Sequence, residues 1–105
     1  MPTLLQIDFP AEGPWGDEMT AAYDELARTI AQAPGLRWKL WTESRRDGIA
    51  GGIYLFDDEA SARDYLKVHI PRLQSFGVTG IRGLIFDVNE GLSVITRGSA
   101  AGLPT

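Results

Sequence analysis

The chain has 105 residues, 44% of them hydrophobic and 23% charged, a size and balance that fit one core and hardly two. Its net charge of −4 and pI near 4.8 speak against nucleic acid as the main partner, because phosphate binding needs a concentrated basic surface. The absence of cysteine removes disulfides, thiol catalysis and thiolate metal sites, and a single histidine rules out any site needing two imidazoles of one chain, so no metal site is nominated.

Thr3 to Phe9 alternates, with Leu5, Ile7 and Phe9 on one side and Leu4, Gln6 and Asp8 on the other, which predicts a first strand. Two prolines and two glycines between Pro10 and Gly16 end it in a loop. From Asp17 the period changes: Met19, Tyr23, Leu26, Ala27 and Ile30 share a helical stripe, closed by Pro34-Gly35. Leu36–Ser44 and Ile49–Phe56 read as strands joined by a turn at Arg45 to Gly48, a tryptophan-bearing hairpin. Asp57 is the expected N-cap of a second helix with Ala62, Tyr65, Leu66, His69 and Leu73 inward, and Pro71 either kinks it or opens a separate short turn. Val78–Val88 is the expected last strand.

The order β-α-β-β-α-β is the ferredoxin-like α+β arrangement, with two helices on one face of a four-stranded antiparallel sheet. One domain over residues 1–97 is expected, and 98–105 reads as a flexible tail. No apolar run approaches the roughly 20 residues of a spanning helix. The first residues lack the features of a signal peptide, so a cytoplasmic protein without membrane contact is expected. Most strands carry large apolar groups on both faces, whereas a sheet wetted on one side alternates more cleanly. A homodimer covering the helix-free face is therefore expected.

The candidate site residues come from two groups. His69 has the side chain whose unperturbed pKa lies near neutrality, and its place on the inner stripe aims it at the sheet, where it would act as a base toward an acidic phenol or enol. The competing reading is a packed histidine satisfied by a polar neighbour. Trp38, Trp41 and Tyr54 offer flat apolar walls for a planar ligand, against a plainer role in core or dimer packing. Odd spacing places Trp38 and Trp41 on opposite faces of a regular strand, so one of them at most lines a given cavity. Gly51-Gly52 lacks the spacing of a phosphate loop and marks a bulge or a close approach by another group. Gln6, Asp8, Asp87 and Asn89 read as rim or turn residues.

Five strings, Thr3-Leu4-Leu5-Gln6, Gly13-Pro14-Trp15-Gly16, Trp38-Lys39-Leu40-Trp41-Thr42-Glu43-Ser44, Gly51-Gly52-Ile53-Tyr54-Leu55-Phe56 and Phe86-Asp87-Val88-Asn89-Glu90, resemble in order and spacing the YdhR family of mono-oxygenases, from about Thr3 to Ser93. The resemblance implies a dimeric α+β barrel, joined through the helix-free faces, with a cavity between sheet and helices. It also implies oxidation of a small or polycyclic aromatic phenol or hydroquinone by dioxygen without metal, flavin or haem. In that setting His69 is the candidate base, Tyr54, Trp38 and Trp41 orient the substrate, and Gln6 holds an oxygen. The alternatives are a non-catalytic binding protein for a small apolar metabolite and, third, haem binding or degradation with His69 as axial ligand.

Overall fold

The computed structural model describes residues 1–98 in the order β1 (Thr3–Pro10), α1 (Gly16–Ile30), β2 (Leu36–Ser44), β3 (Ile49–Phe56), α2 (Glu59–Ser75), β4 (Arg82–Asp87) and α3 (Glu90–Ile95). The strands form one antiparallel sheet in the order β2-β3-β1-β4. With α1 and α2 on one face, this is the ferredoxin-like arrangement, extended by α3. The stripe expected on α1 faces inward, with Met19 and Ile30 buried, and on α2 Ala62, Tyr65, His69 and Leu73 are buried. They close over Leu5 and Ile7 of β1 and Tyr54 and Phe56 of β3.

Four details differ from the sequence reading, each for a local reason. The α2 N-cap is Asp58, which accepts the Ser61 N–H at 2.8 Å, while Asp57 takes the Arg37 guanidinium at 2.7 Å. Pro71 lies inside α2, which runs on to Ser75 as one helix, so no separate turn opens there. β4 starts at Arg82 and not at Val78, because the Val78 N–H bonds back to the Leu73 carbonyl and Gly77 and Gly80 take positive φ. Finally, Glu90–Ile95 is helical, capped by Asn89, whose side chain accepts the Leu92 N–H at 3.0 Å. Of the expected tail, residues 99–105 lie outside the described residues.

Register decides which side chains share a face. Leu36 pairs with Phe56 but Trp38 pairs with Leu55, so an irregularity at Arg37 breaks the alternation. Leu36 therefore packs into the core, whereas Trp38, Leu40 and Thr42 lie with Leu55, Ile53 and Gly51 on the face away from α1 and α2. Lys39, Trp41 and Glu43 fall on the helix side with Tyr54, Gly52 and Ala50. Glu43 reaches the start of α1, where its Oε1 accepts the Gly16 N–H at 2.8 Å. Trp15 at the N-cap provides no such bond, so a carboxylate from β2 closes the positive end of α1.

Candidate active site

Between the sheet, α1 and the C-terminal part of α2 lies a cavity of about 410 Å³. The sheet contributes Ile7, Phe9, Lys39, Trp41 and Tyr54, α1 contributes Met19, Tyr23 and Leu26, and α2 contributes His69 and Leu73. The loop from Ala11 to Pro14 forms part of its rim. Three of the expected site residues, His69, Tyr54 and Trp41, therefore meet in one space.

The other two do not line it. Trp38 is on the opposite face because of the irregularity at Arg37, and its Nε1 is buried without a hydrogen-bond partner among the described residues. Gln6 is on that same opposite face, paired with Leu84, and its amide donates to Asp8 at 3.2 Å. Asp8 is in turn bonded by Arg82 at 2.7 and 3.1 Å, which holds its carboxyl below the usual range. Trp38 and Gln6 are thus absent from the cavity lining, which includes Lys39 and Tyr23.

Lys39 is a cavity residue that periodicity missed. Its Nζ stands 3.4 Å from the centroid of the Trp41 ring and 4.7 Å from that of Tyr54. Trp41 is itself stacked on Tyr23, with centroids 6.2 Å apart. Among the described residues no carboxylate or carbonyl bonds the amine. A desolvated cation–π contact contributes about 2 kcal/mol, less than the several kcal/mol lost when an unpaired ammonium leaves water. Burial therefore wins, and with help from the Arg72 charge it brings the Lys39 pKa down to about 7. The signal in the sequence is Gly52, beside Tyr54: a Cβ there would lie 2.6 Å from Lys39 Cε, so the glycine makes room for the lysine stem.

His69 is held differently. Arg72 points Nε and Nη2 at its Nδ1, at 3.2 and 2.9 Å, and since a guanidinium only donates, Nδ1 accepts and the ring proton belongs on Nε2. The ring stacks on Tyr65, centroids 4.9 Å apart, and meets the edge of Tyr54. Burial first, then the charges of Lys39 and Arg72, lower its pKa to about 3. It is a neutral donor, already satisfied at the nitrogen a base would use. Tyr65 donates to Tyr54 across 3.4 Å, and burial raises the pKa of both phenols, so neither titrates near neutrality.

A stability prediction follows from His69. Its pKa is lower in the folded chain than in the unfolded one, so below about pH 6.5 the unfolded state takes up the proton first and stability falls as pH falls toward 3. Between pH 6.5 and 4.5, above most carboxylate titration, His69→Gln should lose the part of this slope worth on the order of 2 kcal/mol. Denaturant melts of both proteins across that window test it, and equal slopes would show that His69 is not buried neutral.

Fold and cavity define a ferredoxin-like α+β protein with a one-sided aromatic pocket that carries an unpaired amine. By sequence the chain belongs to the family described as "Putative mono-oxygenase ydhR", whose model matches residues 4–99. No curated protein matches it. Among solved structures it is similar to a putative antibiotic biosynthesis monooxygenase from Deinococcus radiodurans, with a TM-score of 0.59 and 16% identity over 84% of this chain and 93% of that one. At that identity the likeness concerns the fold. No helix among the described residues is long and apolar enough to cross a membrane.

Proposed function

We propose that the protein is a mono-oxygenase that oxidises a small or polycyclic aromatic phenol or hydroquinone with dioxygen, using electrons from the substrate and no added cofactor. The observation that carries the reading is the Lys39 amine, unbonded and held against the faces of Trp41 and Tyr54 inside the cavity. Lys39 is the base here in preference to His69, whose acceptor nitrogen is occupied by Arg72. It takes the phenolic proton, and its ammonium then stabilises the phenolate. The anion passes one electron to dioxygen, and the two radicals join at a ring carbon as a peroxide. Loss of water leaves a quinone, with one oxygen atom in the product and one in water. Tyr54 and Trp41 orient the ring, and His69 Nε2–H is available to an oxygen.

The test is oxygen uptake by the purified protein with an anthrone- or naphthol-like substrate. One dioxygen consumed per quinone, with labelled oxygen entering the quinone, is expected. Thermal protection by the same compound without uptake would instead identify a binding protein.

We also propose that the protein is a homodimer, joined through the face opposite α1 and α2. Leu40, Leu84 and Phe86 are exposed there, and Trp38 Nε1 lacks a partner among the described residues. Light scattering should give twice the chain mass at micromolar concentration, and a monomer would refute the assembly.

A further inference from the structure

We propose that Lys39 is also a carbonyl-capturing centre, an amine that condenses with planar aromatic aldehydes to form an imine within the cavity. Its ground is the geometry around Lys39, independent of any oxygen chemistry. An amine adds to a carbonyl only through a free lone pair. Among the described residues Lys39 Nζ has no carboxylate or carbonyl to hold it as an ammonium. Burial and the neighbouring Arg72 charge further favour the neutral amine, the combination that activates a lysine as a nucleophile. The rings of Trp41 and Tyr54 on which it rests form walls against which a flat aldehyde can stack. A cavity of about 410 Å³ accommodates a bicyclic ring beside the lysine.

In the step itself the nitrogen pair attacks the carbonyl carbon and the C=O pair moves to oxygen. The nitrogen gives up its protons as that oxygen leaves as water, so aldehyde and amine yield imine and water with no oxidant or reductant. The His69 Nε2–H, on the same cavity wall, is the group available to donate to the departing oxygen.

The chain carries its own control, since it has two lysines. Lys67 lies on the outer side of α2, its side chain 79% exposed and 3.9 Å from Asp64. The native protein is treated at pH 7, under argon, with 2-hydroxy-1-naphthaldehyde and sodium cyanoborohydride, which reduces the imine to a stable amine. Peptide mapping should find a single saturable adduct on Lys39, formed at least about tenfold faster than on Lys67. Urea should abolish the difference. Lys67→Arg should keep the adduct and Lys39→Arg should lose it. Equal labelling of both lysines in the folded protein, or labelling of Lys67 and the N-terminus alone, would overturn the proposal. The wild type and Lys67→Arg decide the matter even if Lys39→Arg fails to fold. Labelling without oxygen uptake in the separate assay would leave this inference standing and remove the mono-oxygenase reading.

Discussion

Lys39→Met should lower kcat/KM for a phenolic substrate by about 10²- to 10⁴-fold, the range that a positioned base contributes. Methionine fills much of the same space and removes a half-buried, unpaired charge, so the variant should fold and be at least as stable as the parent. The pH profile separates a base from a packing residue. In the parent, kcat/KM should rise as the amine loses its proton and level off above about pH 7, and in Lys39→Met that limb should vanish. Stability carries a second signature. Because the folded-state pKa is lowered, the unfolded chain binds more protons between about pH 7 and the ordinary lysine value, so parent stability should climb with pH across that window. Lys39→Met should not show that climb. Full turnover by Lys39→Met together with its loss in His69→Gln would return the role of base to His69.

Gly51→Ala should be the most damaging single-methyl change in the sheet, at about 3 kcal/mol or more. A Cβ at Gly51 would overlap the Ile7 carbonyl oxygen and stand 2.8 Å from Asp8 Cα, both backbone atoms of the central strand β1. Neither can yield without parting β1 from β3. Gly52→Ala presents the contrasting case. Its nearest obstacle is the Lys39 Cε at 2.6 Å, on a flexible side chain, with Leu40 O and Tyr54 Cε1 both at 3.2 Å. This variant should remain folded, with a loss of about 1 kcal/mol, while the displaced amine loses its seat over Trp41 and turnover drops. Thermal melts of the two variants, with oxygen uptake for the second, check both statements. A stable Gly51→Ala would show that the β1–β3 spacing is slacker than the geometry here.

Periodicity is enough to locate α1 and α2, each of which buries one apolar stripe, and glycine- and proline-bearing turns bound the apolar runs of the sheet and the hairpin. His69 is legible from its helix stripe, which aims it at the sheet, while odd spacing admits at most one of Trp38 and Trp41 to a cavity without saying which. Lys39 is not legible. In a strand that alternates Arg37, Lys39 and Trp41 with Leu36, Trp38 and Leu40, a lysine looks like a solvent-facing residue. Only the spatial neighbourhood shows a glycine giving it room and two rings receiving its amine. Trp38, Trp41, Tyr54 and Gln6 are nominated by residue type, which says nothing of face. The helix α3 was hidden by its length and by Gly91, although Asn89 followed by Glu90 carries a capping signal.

The irregularity at Arg37 has a consequence for how such a pocket can change. A strand writes its two faces in binary, odd positions to one side and even to the other, and one extra residue inverts every digit after it. Upstream of Arg37 the core receives Leu36; downstream it receives Lys39 and Trp41, and the outer face receives Trp38 and Leu40. Deleting Arg37 would remove the extra residue and leave Lys39 opposite Tyr54, whereas making the strand regular with every residue kept would exchange the two sets and carry the amine out to the opposite face. Between related chains, loss of this irregularity with no residue lost would carry more chemical meaning than several substitutions within the cavity.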